Sequence, residues 1–271
     1  MVRFGTASNS QSFYDQGFKH TWQAPAWLAS LGLTAFEYSC GRGVSIKEEG
    51  ARKIGEEARM HGIAMSVHAP YYINLADARP EKREDNLRWI RDSAQAAKWM
   101  GGDRVVIHPG SGPLDVAMEE LRFIRRALDA QGLTDIVLCP ETMGKKSLLG
   151  TLDEVLELCT VGGNLIPCLD FGHLHVRDLG ALNTAEDYER VLLACERAGD
   201  VMKRVHVHFS HIEFGAHGEK RHRNFADEGF GPDFAPLPAL LKKRGWAPRF
   251  LCESRNMQAE DALDMMRMWN A

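Results

Sequence analysis

The chain has 271 residues, 44% of them hydrophobic and 26% charged, with a formal net charge of −4. That balance is globular and long enough for one large domain or two small ones; it excludes a protein that coats nucleic acid by bulk electrostatics, while leaving room for a local basic patch. No apolar run approaches the ~20 residues needed to span a bilayer, and the start, MVRFGTASNS, has no basic stretch leading into an apolar one, so a soluble cytoplasmic protein with no membrane partner is expected.

In chain order, eight short β-rich runs recur: VRFGT (2–6), AFEYS (35–39), AMSVHAP (64–70), RVVIHPG (104–110), DIVLCPET (135–142), LIPCLDF (165–171), RVHVHFS (204–210) and RFLCES (249–254). Between them the spacing is helical. In NLRWIRDSAQAAKWM (86–100), Leu87, Ile90, Ala94, Ala97 and Met100 fall at intervals of three and four, and DEVLELC (153–159) and EDYERVLLACERA (186–198) read the same way. Alternating β and α elements imply a parallel sheet with helices packed outside it. Eight such units at this length predict an α/β fold of the (β/α)8 TIM barrel type, a single domain over 1–271. One segment, HIEFGAHGEKRHRNFADEGFGPDF (211–234), reads as irregular and too long for a plain connection; such loops are usually functional.

Six cysteines fall at 40, 139, 159, 168, 195 and 252 with no Cys-x-x-Cys pair. Cys139, Cys168 and Cys252 sit in apolar runs, where free cysteine behaves as a small buried hydrophobe. Neither a disulfide framework nor a zinc knuckle is expected. The histidines carry the signal instead. In such barrels the chemistry sits at the C-terminal ends of the strands. The third run ends in His68, the fourth in His108, the fifth in Glu141 and the sixth in Asp170, with His173 beyond; the seventh offers His206 and His208, and the eighth Glu253. In a closed barrel these side chains converge on one mouth.

Each position has a plainer reading alone. A strand-end histidine is usually a hydrogen-bonded structural residue, Glu141 could cap the following helix, and Asp170 could be the N-cap at LDFGH. His206 and His208 share a facing by strand alternation, so only one need be functional. Six consecutive strands ending this way point to a metal site. Imidazole with carboxylate suits Zn2+, Mn2+ or Fe2+. The set exceeds the needs of one tetrahedral ion, and clustered ions serve in-line displacement at phosphorus. Glu141, on the middle strand, is the natural bridging carboxylate.

The stretches SVHAPYYINL (66–75), VVIHPGS (105–111), LCPETMGKKSLLG (138–150), CLDFGHLHV (168–176), VHVHFSH (205–211) and LCES (251–254) together resemble the endonuclease IV family of apurinic/apyrimidinic endonucleases. The resemblance implies a barrel with a trinuclear zinc cluster that nicks double-stranded DNA 5′ of an abasic site, in base excision repair, by a protein acting as a monomer. It implies that His68, His108 and Glu141 hold one metal. Glu141, Asp170, His208 and Glu253 would hold the second, with Glu141 and Glu253 the catalytic carboxylates. His173 and His222 would bind the third. Tyr71, Asn74 and, more loosely, Arg42 resemble residues of DNA-contacting loops. Where the family has Asp-x-His for the third metal, this chain reads Lys220-Arg221-His222. Lysine is a poor ligand, so Glu219 or His217 is expected to substitute, or the third site is weak or absent. Lys220 and Arg221, with Arg223, form a local basic cluster suited to phosphates, or else a solvated loop of mixed charge. Lys145 and Lys146 lie on the same rim. Phe225 and Phe230 read as wedges or as loop anchors, and His175 as supporting or solvent-facing.

Two other readings remain open. A one-metal sugar isomerase or epimerase resembling xylose isomerase would use Glu141, Asp170, His208 and Glu253 as they stand, but has no use for His68, His108, His173 and His222 together as ligands. A binding barrel with structural metals would need closed four-ligand sites.

Overall fold

The computed structural model describes residues 1–77 and 79–271. Eight parallel strands form the barrel: β1 (Arg3–Ala7), β2 (Ala35–Ser39), β3 (Ala64–His68), β4 (Arg104–Ile107), β5 (Val137–Pro140), β6 (Cys168–Asp170), β7 (His206–Phe209) and, after a β8–β9 hairpin (His211–Gly215 and Gly218–Arg223), β10 (Arg249–Cys252). Their order is β5-β4-β3-β2-β1-β10-β7-β6. Bridges from Leu138 to Leu165 and from Glu141 to Cys168 close the ring between β5 and β6. Thr142 N donates to Cys168 O at 3.0 Å across that seam.

The helices are α1 (Gln11–Asp15), α2 (Ala24–Ser30), α3 (Glu48–Met60), α4 (Pro80–Trp99), α5 (Leu114–Ala130), α6 (Leu152–Leu158), α7 (Phe171–Arg177), α8 (Ala185–Cys195), α9 (Leu237–Lys243) and α10 (Gln258–Asn270). None of the described helices is long and apolar enough to cross a membrane. In α3 the buried residues Ala51, Ile54, Gly55 and Ala58 fall on one stripe, the spacing that turns one helix face to a sheet. Capping boxes at Thr151 with Glu154 and at Thr184 with Asp187 start α6 and α8.

Strand alternation divides the apolar residues into two sets. Val105 and Ile107 join the large core between sheet and helices, whereas Val106 packs with Val137, Cys139, Ile166 and Cys168 inside the ring. On the outer face Phe4 stacks on Phe250 at 5.0 Å, and both meet Trp269 of α10 edge-on. Gly5 is required by close approach: a Cβ there would lie 1.8 Å from Ala35 O on the neighbouring strand. All six cysteines are free, and five are buried.

The segment 211–234, expected to be irregular, contains the ordered β8–β9 hairpin. Its short strands around the GAHG turn are too polar to read as strands, and the pairing supplies what the pattern does not. Ile212 N also donates to Gly231 O at 2.8 Å, tying the hairpin to the loop that follows.

Candidate metal centre

Each predicted strand end reaches the same mouth. Glu141, one residue past β5 and 1% exposed, is the hub. Its Oε2 lies 3.3 Å from His68 Nε2 and 3.0 Å from His108 Nε2. Its Oε1 lies 2.9 Å from His208 Nδ1. The carboxylate thus faces one pair of imidazoles with one oxygen and a third imidazole with the other, the arrangement a bridging ligand requires.

Asp170 ends β6 and is the N-cap of α7. Its Oδ1 accepts from His173 N at 2.7 Å, while Oδ2 is buried without a hydrogen-bond partner. One oxygen therefore fulfils the capping reading and leaves the other to the site. Ligand atoms of Glu141, Asp170, His208 and Glu253 lie within 4.8 Å of one another, as do those of His68, Glu141 and His208.

A further group joins His173, Glu219 and His222. Here β9 resolves the mismatch seen in the sequence. Glu213 pairs with Arg221 and Phe214 with Glu219, so Lys220 is left over in a bulge. A bulge adds one residue to a strand and re-aims its neighbours. Glu219, three residues before His222, is thereby brought to the site, with its Oε2 3.5 Å from His173 Nε2. His217 is exposed, and Glu219 is the carboxylate grouped with His173 and His222. Gly144 makes room, since a Cβ there would lie 2.9 Å from Glu219 Cβ and 3.0 Å from His173 Cδ2.

The imidazoles are held by their second nitrogens. Nδ1 of His68 lies 2.9 Å from Ala69 O, and that of His173 2.8 Å from Thr142 O. Nδ1 of His222 lies 2.8 Å from Ser210 Oγ. Each leaves Nε2 facing the mouth, the pattern of ligating histidines whose other nitrogen is bonded behind them. His208 is the reverse: Nδ1 faces Glu141, and Nε2 points down the barrel to Glu37 Oε1 at 2.9 Å. His206, one level deeper, lies 3.0 Å from Glu37 Oε2.

Electrostatics follow from burial and crowding. Burial alone would raise the Glu141 carboxyl, but the charge on His208 and hydrogen bonds from His108, His208 and His68 hold it well below the ordinary range. Burial opposes charge on His68, yet the hydrogen bond and charge of Glu141 push it up to about 9. His173 is likewise raised to about 9, against burial, by Asp170, Glu141, Glu219 and Glu253. Burial pushes Glu253 up, only partly offset by His208 and His222. Buried carboxylates need compensating charge; the buried Glu141 and Asp170 and the partly buried Glu219 and Glu253, with imidazoles interleaved, form a donor set that fits divalent cations of the zinc, manganese or iron type.

The cleft over this centre has a volume of about 420 Å³ and is lined also by Tyr71, Met143 and Lys145. A larger cleft of about 690 Å³ lies on the flank, among Leu114, Asp153, Glu157 and Arg197, away from every ligand group. Tyr71 is half exposed on the rim, and Arg42 Nε donates to its hydroxyl at 3.3 Å. Asn74 is turned into its own loop: Oδ1 accepts from Ala76 N at 3.1 Å and Ser111 N at 2.9 Å. Lys220 and Arg221 gather around Glu213 with Arg223, at 4.0 and 2.7 Å for the first two. Phe225 packs on Phe209 and His211, and Phe230 lies under Arg223, so both anchor the loop. His175 is buried and accepts from Leu182 N at 3.1 Å, which makes it structural.

Glu37 was not among the strand-end candidates. The available signal was a carboxylate in mid-strand, between Phe36 and Tyr38, in a sheet expected to be buried on both faces. Ser210 and Thr142, which hold His222 and His173, are equally silent in the sequence.

The sequence pattern of the xylose isomerase-like TIM barrel family matches residues 25–269. The uncharacterized protein MJ0133 of Methanocaldococcus jannaschii is 32% identical over 100% of this chain and 97% of its own length. Endonuclease 4 of Thermus thermophilus is 30% identical over 89% of this chain and 90% of its own. Among solved structures, an endonuclease IV from Thermus thermophilus superposes with a TM-score of 0.68 at 23% identity, over 99% of this chain and 97% of that one. A D-tagatose 3-epimerase-like protein gives 0.75 at 19% identity over the same shares; at such identities these two show a common fold. The chain thus belongs to the xylose isomerase-like TIM barrel family, and its relatives there include endonuclease IV.

Proposed function

We propose that the protein is a metal-dependent phosphodiesterase that nicks duplex DNA 5′ of abasic sites, using two or three zinc-type ions. The observation that carries this reading is the presence around one cleft of three ligand groups, His68–Glu141–His208 and Glu141–Asp170–His208–Glu253, which share Glu141 and His208, and His173–Glu219–His222 beside them. Bound divalent ions would supply a low-pKa water as nucleophile and neutralise charge developing at phosphorus.

The chain's own residues then have assignable tasks. Glu141 spans the first two groups through its separate oxygens. Glu253 links the second and third, with Oε1 3.4 Å from His208 Nδ1 and Oε2 3.8 Å from His222 Nε2. Tyr71, braced by Arg42, stands at the rim where a base or sugar beside the lesion would lie. Lys145 lines the cleft and is placed for a phosphate. Asn74 supports this reading only by shaping the loop that carries Tyr71. Lys220 and Arg221 would meet DNA as part of the Glu213 cluster.

The second reading, a one-metal sugar epimerase, draws on the four-residue group Glu141, Asp170, His208 and Glu253, which suffices for one ion. Elemental analysis of the purified protein distinguishes them. Two or three equivalents of metal per chain are expected, with loss of one on Glu219→Gln. A single equivalent under saturating metal would move the assignment to the epimerase.

A further inference from the structure

Beneath the metal centre lies a second, fully buried polar layer that the phosphodiesterase reading does not use. Glu37, on β2, is 0% exposed, as are Ser66 on β3 and His206 and His208 on β7. Ser66 Oγ donates to Glu37 Oε2 at 2.8 Å. The same oxygen lies 3.0 Å from His206 Nε2, and Oε1 lies 2.9 Å from His208 Nε2; these are close ion contacts rather than aligned hydrogen bonds, so Oε1 and both Nε2 atoms are buried without a hydrogen-bond partner.

His208 is consequently held between two carboxylates, Glu37 below and Glu141 above. A neutral imidazole has one N–H and one lone pair. Glu37 and Glu141 are both acceptors only, and each lies 2.9 Å from one nitrogen of this imidazole; a cation held by His208, Glu141 and Glu253 would take the place of the proton on Nδ1 and leave the N–H on Nε2, towards Glu37. The other ligand histidines whose second nitrogen has a partner are tied by a backbone carbonyl or a hydroxyl; His208 alone faces a carboxylate there, and with the opposite nitrogen. Metal-ligating histidines backed by a carboxylate are fixed in orientation and made more basic.

We propose that Glu37 is a positioning residue, locked by Ser66 and His206, that fixes His208 as the Nε2–H tautomer and presents Nδ1 to the divalent cation shared with Glu141, Asp170 and Glu253. The proposal rests on the metal-centre reading but not on the substrate, so it holds whether the reaction is phosphodiester hydrolysis or epimerisation. A competing use of the same layer exists: Cys168, His206 and His208 also bring ligand atoms within 4.8 Å of one another, and a thiolate there would favour a soft ion.

The test uses the full chain loaded with cobalt(II), followed by visible absorption and by chelator competition. Glu37→Gln preserves shape and no longer faces both imidazoles with a charged carboxylate; it should weaken the ion at the His208 site by about 10–100-fold and shift its ligand-field bands. Ser66→Ala should move both readouts in the same direction by less. Wild-type affinity and spectrum in Glu37→Gln would overturn the proposal. So would a sulfur-to-cobalt charge-transfer band that disappears in Cys168→Ser, because the layer would then itself be a metal site. Should Glu37→Gln fail to fold, long-range proton–nitrogen correlation of the histidines in zinc-loaded wild type decides alone: His208 bound through Nδ1 supports the proposal, and binding through Nε2 overturns it. Loss of abasic nicking in the wild type, with these cobalt results intact, would reject the substrate and leave Glu37 in place.

Discussion

Asp170 separates structure from chemistry within one carboxylate. Its Oδ1 caps α7 through His173 N, and its Oδ2 is buried without a partner at the ligand group. Asn is as good an N-cap as Asp but a much poorer ligand for a divalent ion. Asp170→Asn should therefore fold with a Tm within about 4 °C of the wild type, the scale of a loss near 1 kcal/mol in a chain of this size, while activity falls below detection. Thermal unfolding followed by circular dichroism, alongside turnover, checks both halves; full activity would remove Asp170 from the site. The residues that ended strands were legible in the sequence because an apolar run closing on a charged residue is conspicuous. Glu37 was not, since a mid-strand glutamate in a buried strand has no partner that the sequence names until the ring is closed and places it against His206 and His208.

At the scale of elements, the β8–β9 hairpin decides how the third ligand group is built. An antiparallel strand alternates facing with period two, so an acidic residue three positions before His222 would point away in a regular strand. The unpaired Lys220 absorbs the extra residue and returns Glu219 to the side of His173 and His222. Deleting Lys220 should then be tolerated, because Glu219 and His222 become two residues apart and share a face without a bulge. Metal analysis of the deletion variant is expected to equal the wild type, whereas Glu219→Gln loses one equivalent. A deletion variant with one ion fewer would show that the bulge itself, or the Lys220 side chain, is needed. The eight barrel strands were readable from β-branched runs such as Val105-Val106-Ile107; the hairpin was not, because its strands are polar and its pairing depends on the register of the mouth.

At the scale of the molecule, the crowded carboxylates of the mouth hold protons on its imidazoles. His68 and His173 are raised to about 9 by their carboxylate neighbours, above the ~6.5 of an unfolded histidine. A raised folded value means that the stabilising contribution is fully present below about pH 6.5 and is lost as pH rises through about 9. Metal binding needs the deprotonated imidazole, so loading at pH 7 should release about two protons per chain from these two residues, falling towards none above about pH 9. Because His208 is raised as well, their share is read by calorimetry in buffers of different ionisation enthalpy on the wild type, His68→Gln and His173→Gln; release unchanged in both variants would take the two histidines out of the ligand set. On the proposed function, the chain's net charge of −4 would leave DNA attraction to the rim. Lys145→Ala should lower the slope of log K against log salt by about 0.9, the share of one phosphate contact, in a duplex-binding titration with the Glu141→Gln protein to prevent turnover. An unchanged slope would take Lys145 out of the interface.

The measurement that bears most directly on the whole account is nicking of a duplex carrying one abasic site, by metal-loaded wild type and by Glu141→Gln. A single cut 5′ of the lesion by the wild type and none by the variant is expected, with both proteins folded. No cut by a wild type that holds its two or three ions would contradict it, and turnover of a ketose by the same preparation would identify the epimerase in its place.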